Sequence, residues 1–101
     1  MDLRKNRRFA KKLLVKIYSE NFYCGGITGD ISYNGLFVRG VLLPNEKVLS
    51  IDLYLPGEGI ASLKGIVKRN AKITEANWLF GTGIELTEKD KAFTRFVQHL
   101  L

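Results

Sequence analysis

At 101 residues the chain has the size of one domain and the means to bury a single core, so a second folding unit is not expected. A composition of 46% hydrophobic and 26% charged residues argues against disorder, and no apolar run nears the roughly 20 residues of a membrane-crossing helix. The net charge of +6 is not spread over a basic surface: residues 1–16 hold Arg4, Lys5, Arg7, Arg8, Lys11, Lys12 and Lys16 against Asp2, and the remainder carries nine charges of each sign.

The basic start is like the head of a signal peptide, but Lys16 interrupts its apolar residues and no small-residue cleavage site follows, which points to a cytoplasmic protein. Residues 1–9 read as a flexible basic arm. From Phe9 to Ile17, apolar residues alternate in part with lysines at a period near two, predicting a strand with one buried face. Ser19-Glu20-Asn21 is a turn. A second strand runs from Phe22 to Ser32, where Gly25, Gly26 and Gly29 predict a bulge or a close backbone approach. Tyr33-Asn34-Gly35 forms the next turn, since Asn-Gly readily takes positive φ.

Leu36 to Arg39 is a short third strand. Lys47 to Leu55 is a fourth, with Leu49, Ile51, Leu53 and Leu55 on its core face and Val48, Ser50, Asp52 and Tyr54 on the other. Pro56-Gly57-Glu58-Gly59 turns the chain into a fifth strand from Ile60 to Arg69, and a sixth spans Asn77 to Leu86. Thr87-Glu88-Lys89-Asp90 resembles an N-cap with an acidic first turn, and Ala92, Phe93, Phe96, Val97 and Leu100 recur at helical spacing. The expected architecture is mainly β: a six-stranded antiparallel β-barrel over residues 10–86, closed by a C-terminal α-helix over 87–100.

Little here suits catalysis. One cysteine, Cys24, and one histidine, His99, build neither a disulfide nor a metal centre, and no nucleophile-base pair or carboxylate pair has a spacing that chemistry requires. An enzyme and a bound cofactor are therefore not expected. Cys24 reads as a packed or edge-of-sheet thiol and His99 as a helix-end side chain.

Two segments stand apart. Arg4-Lys5-Asn6-Arg7-Arg8 places two arginines four residues apart ahead of the first strand, and Asp30-Ile31-Ser32-Tyr33-Asn34-Gly35 ends the second. Residues i and i+2 of a strand share a face, so Asp30 and Ser32 project together while Ile31 points into the core. An acid and a hydroxyl so placed suit one edge of a purine. Arginine's planar fork suits a phosphate, the O6/N7 edge of guanine, or the face of a base. Taken singly, the arginines also fit a solvated basic tail, and Asp30 and Ser32 also fit turn chemistry.

Arg4-x-x-x-Arg8 followed by Asp30-x-Ser32-x-x-Gly35, in this order and with this strand pattern, resembles the paired RxxxR and (D/N)xSxxG signature of PilZ domains. The resemblance runs from about Leu3 to Leu100 and includes Gly81-Thr82-Gly83. It departs at Asn45-Glu46, where family members often carry a glycine. It implies a six-stranded barrel that binds cyclic di-GMP: Arg4 and Arg8 grip guanine edges and phosphates, Asp30 and Ser32 hydrogen-bond a guanine, and Gly35 shapes the turn beneath it. Lys5 and Arg7 are not motif positions and add field strength as possible further contacts.

On this reading the arm orders over the ligand and changes how a partner protein docks. Two other readings stay open. One is a small nucleic-acid-binding barrel that stacks bases on Phe22, Tyr23 or Trp78, which the near-neutral barrel disfavours. The other is a PilZ-like interaction module that binds no ligand.

Overall fold

The computed structural model describes residues 7–44, 48–73 and 79–101, and at 71–73 and 79 the backbone alone. Six strands, β1 (Leu14–Tyr18), β2 (Tyr23–Ser32), β3 (Gly35–Arg39), β4 (Val48–Leu55), β5 (Gly59–Ile73) and β6 (Leu79–Glu88), precede one helix, α1 (Lys91–Leu100). All neighbouring strands are antiparallel and close a barrel in the order β1-β2-β3-β6-β5-β4. Closure leaves no open sheet edge, so backbone donors and acceptors of the barrel wall pair with one another.

The expected fold class is the one observed. On β4, Leu49, Ile51, Leu53 and Leu55 are buried, as their alternation predicts. They meet Val15 and Ile17 from β1, Ile31 from β2, Leu36 and Val38 from β3, and Ala61, Leu63 and Val67 from β5 in one core. Helix α1 buries Phe93 and Val97 at a four-residue spacing, with Ala92, Phe96 and Leu100 flanking them against the same core. His99 is exposed in its last turn. Cys24 is half-buried, and burial pushes its thiol pKa up, which disfavours the thiolate that a nucleophile needs.

Several element ends differ from expectation. The first strand was expected from Phe9, but regular pairing starts at Leu14, and Phe9 makes an isolated bridge to Ile31. Buried Thr28 explains the intervening bend: its hydroxyl donates to the Lys11 carbonyl (2.6 Å) and accepts from the Leu13 amide (2.9 Å), taking over hydrogen bonds that a regular ladder would make.

β5 runs on past Arg69 to Ile73, and β6 continues through Thr87 and Glu88. The two acids near the expected helix start therefore act differently. Glu88 stays in the ladder opposite Lys64, its Oε2 3.5 Å from the Lys64 Nζ, and Asp90 alone is the N-cap. The helix thus begins at Lys91, without an acid in its first turn.

Candidate functional site

Two bulges prepare the outer face of the barrel. Along β2 the inward positions run Cys24, Gly26, Thr28 at the usual spacing of two, and the next is Ile31, three residues on. The register against β3 shifts between Thr28 and Asp30, leaving Gly29 as the extra residue. Unbroken alternation from Thr28 would send Asp30 and Ser32 inward. The bulge reverses the phase, so both sit on the outer face of the barrel wall, Asp30 half-buried and Ser32 buried, while Ile31 fills the core.

The arm reaches this face because Phe9 pairs with Ile31: the Phe9 amide donates to the Ile31 carbonyl at 2.8 Å, and the Ile31 amide donates back at 2.9 Å. Arg8 precedes this bridge and lies over the motif residues. Its Nε is 3.3 Å from Asp30 Oδ1, and its Nη1 donates to Ser32 Oγ at 3.3 Å. The Ser32 hydroxyl in turn lies 3.4 Å from the Gly35 carbonyl, which it addresses as a donor.

Asp30 Oδ1 is buried and within ion-pair range of Arg8, yet no donor is aligned with it as a hydrogen bond. The distance decides attraction and the angle decides hydrogen bonding, so we treat the contact as electrostatic. Arg7 turns away, its guanidinium carbon 5.1 Å from the centre of the Phe9 ring. Arg4 and Lys5 fall outside the described residues.

Arg8, Ser32 and Gly35 border an open cleft of about 370 Å³ that continues across β6 to β5. Gly35 was expected to serve a turn through positive φ, but the glycines with positive φ are Gly40, Gly57 and Gly59. Its reason is close approach. A Cβ at Gly35 would stand 2.9 Å from the Ile84 carbonyl oxygen, 3.8 Å from Ser32 Oγ and 3.9 Å from Arg8 Nη1. Asp30 does not line the cleft; it stands behind Arg8 and holds it.

The far wall holds residues that the motifs did not mark. Lys68, Arg69, Gly83 and Glu85 line it, and Asn34 borders the near end. Lys68 and Glu85 pair at 3.4 Å. Asn34 is fixed from outside: Lys89 Nζ donates to its Oδ1 at 2.9 Å and sits 4.0 Å from the centre of the Tyr33 ring, while the Leu86 amide donates to its carbonyl at 2.9 Å. Three cations therefore meet two acids around this cleft, Asp30 and Glu85, leaving it net positive. Its size and polar lining suit a small anionic ligand.

A second groove of about 360 Å³ is bordered mainly by apolar side chains, Leu13, Leu14, Leu55, Pro56 and Ile60, with Tyr54 and Lys12 beside them. Among the described residues no group of three or more His, Cys, Asp or Glu side chains is placed to hold a metal ion. None of the described helices is long and apolar enough to cross a membrane. Of the aromatics considered for base stacking, Tyr23 is exposed, Phe22 packs against the core, and Trp78 lies outside the described residues.

No family model and no curated protein matches the chain. Matches among solved structures include the Bacillus subtilis inhibitor of motility, MotI/DgrA, with a TM-score of 0.77 and 19% sequence identity over 91% of this chain and 46% of that one. The chain thus spans less than half the length of that protein. At this identity the likeness is one of fold, and in this chain that fold is a closed six-stranded antiparallel barrel with a C-terminal helix, the architecture that the sequence resemblance implies.

Proposed function

We propose that this chain is a receptor module for cyclic di-GMP, binding it in the cleft between Arg8 and the β5 wall. One observation carries the reading: the arm's Arg8 and the strand-end Ser32 and Gly35, far apart in sequence, converge on one net-positive cleft, with Asp30 bracing the arginine. A cyclic dinucleotide offers what this lining can use. Its phosphates and guanine O6/N7 edges accept from a guanidinium, and its guanine donors meet an acceptor such as the Ser32 hydroxyl. Gly35 leaves the floor bare so that a flat base can lie near the backbone.

The part of the arm ahead of Arg7, with Arg4 and Lys5, closes over the bound anion, which offsets the mutual repulsion of its charges. The ordered arm and the covered cleft then present a partner protein in the cytoplasm with a surface different from that of the free module. Binding, not catalysis, is the output, and the ligand is a signal rather than a resident cofactor. A regulatory role is in keeping with a fold shared with an inhibitor of motility.

Calorimetric titration of the whole chain with cyclic di-GMP, its adenine-containing relatives and short single-stranded DNA tests the reading. Saturable binding of the guanine compound, with weak dependence on salt, is expected. A flat trace for every cyclic dinucleotide refutes it. Preference for DNA, with affinity falling steeply and linearly in log salt, would instead favour a nucleic-acid-binding barrel.

A further inference from the structure

We infer that Arg69 is a second guanidinium contact of the ligand, reaching it from β5 opposite Arg8; the inference rests on the cyclic dinucleotide reading above. It starts from the second bulge. Along β5 the inward positions run Ala61, Leu63, Gly65, Val67 at a spacing of two, and the next side chain to turn back toward a buried group is Asn70, three residues on, which is exposed but whose Oδ1 accepts from the buried Thr82 hydroxyl at 2.6 Å. The register against β6 shifts between Val67 and Arg69, and Lys68 and Arg69 are both exposed on the outer face. β5 thus mirrors β2, where the bulge at Gly29 turned Asp30 outward. Both irregularities flank the β3-β6 pair that floors the cleft, and bulges commonly re-aim side chains at binding sites.

The cations of the cleft are not equivalent. Arg8 is held by Asp30 and Lys68 by Glu85, whereas Arg69 has no ion-pair or hydrogen-bond partner among the described residues. Unpaired arginines are common on protein surfaces, but this one lines the same cleft as Arg8 and lies along a glycine. A Cβ at Gly83 would stand 3.6 Å from Arg69 Cγ and 3.9 Å from its Nε, so the side chain runs over bare backbone.

Gly35 pairs with Glu85, which makes Gly83 its diagonal neighbour on the same face, at a separation of about 7–8 Å typical of such positions. One guanidinium stands beside each glycine. A ligand lying across the two glycines therefore meets a fork at either end, and Arg69's is the one with its donors still unspent.

The test compares wild type with Arg8→Ala, Arg69→Ala and Arg69→Lys in calorimetric titrations with cyclic di-GMP, with the Arg69 Nε–H resonance followed by NMR. We expect at least about fivefold weaker binding for Arg69→Ala, incomplete recovery by lysine, and a shift of the Nε–H signal that saturates with the ligand, since one charge-assisted fork carries such an effect. Arg69→Ala binding within about twofold of wild type while Arg8→Ala is much weaker, with an unmoved Nε–H signal, overturns the inference and spares the ligand reading. Absence of binding by wild type overturns both.

Discussion

Phe9 and Ile31 exchange both of their backbone hydrogen bonds, at 2.8 and 2.9 Å, and so carry the chain's N-terminal side onto the end of β2 just past its bulge. That single bridge sets where Arg8 starts, and hence whether its guanidinium can reach Ser32. Phe9→Pro removes the donor to the Ile31 carbonyl and restricts the backbone of Arg8 as well. One net hydrogen bond corresponds to about two- to tenfold in affinity, so cyclic di-GMP binding should weaken by about that factor. The barrel should stay folded, because residues 10–13 remain anchored to Thr28. Titration of the variant beside its circular dichroism spectrum checks both halves; unchanged affinity would show that the bridge does not position Arg8.

The Arg8–Asp30 contact makes opposite predictions for its two members, depending on what the carboxylate does. Arg8→Ala should weaken cyclic di-GMP binding by about tenfold to a hundredfold, the range of a lost hydrogen bond to a charged group. Lys12→Ala, exposed on the bend and outside the cleft, should have little effect. If Asp30 braces Arg8 in its binding pose, Asp30→Ala weakens binding too. If Asp30 only competes for the guanidinium, the same variant tightens it, and that result would end the bracing account.

Much of this was legible in the sequence, for reasons that differ from element to element. β4 and α1 announced their buried faces because Leu49, Ile51, Leu53 and Leu55 keep a strict period of two, and Phe93 and Val97 a period near four with Phe96 beside them and Thr94 and Arg95 between. The outward pairing of Asp30 and Ser32 followed from their spacing. Its phase did not, because that depends on Gly29 standing outside the ladder. The hidden clue was Thr28, a polar residue fully buried three positions before Ile31.

Lys68 and Arg69 escaped notice for a related reason. In Lys68-Arg69-Asn70 three polar residues follow one another, so hydropathy gives no sign that the strand skips a place after Val67. Gly35 was recognised as necessary, but its need comes from the Ile84 carbonyl on β6, a neighbour that only the closed sheet brings near. The helix start was displaced because Thr87 and Glu88 have good capping chemistry and yet are taken up into β6, where Glu88 pairs with Lys64 and Thr87 stands at the register shift beside it.

Gly35 and Gly83 face the same cleft but should separate stability from binding. A methyl at Gly35 meets a backbone oxygen at 2.9 Å, which cannot swing aside, so Gly35→Ala should cost about 1–3 kcal/mol of stability. At Gly83 a methyl meets Arg69 atoms at 3.6–3.9 Å, ordinary contact distances. Gly83→Ala should therefore unfold at nearly the wild-type urea midpoint while binding cyclic di-GMP more weakly, because it raises the floor under the ligand. Urea titration and calorimetry on both variants give the comparison. A stable Gly83→Ala that binds as tightly as wild type would remove Gly83 from the binding surface.

Asp90 joins the helix to the barrel through both of its carboxylate oxygens. Oδ1 accepts from the Phe93 amide at 2.9 Å, capping α1, and Oδ2 accepts from the Ser62 amide on β5 at 2.7 Å. The cap matters beyond one hydrogen bond, because Phe93 is fully buried in the core and its backbone must be fixed for the ring to seat. Asp90→Ala leaves both amides without these acceptors, and a lost cap alone costs about 0.5–2 kcal/mol. Asp90→Asn keeps one carbonyl oxygen, so one amide can still be satisfied while the other faces a donor. The urea midpoint should therefore fall in the order wild type, Asp90→Asn, Asp90→Ala, with the slope of the transition unchanged if the same surface is exposed on unfolding. Equal midpoints for the two variants would mean that the asparagine retains neither bond, and a wild-type midpoint for Asp90→Ala would mean that packing of Phe93 and Val97 alone holds α1 to the barrel.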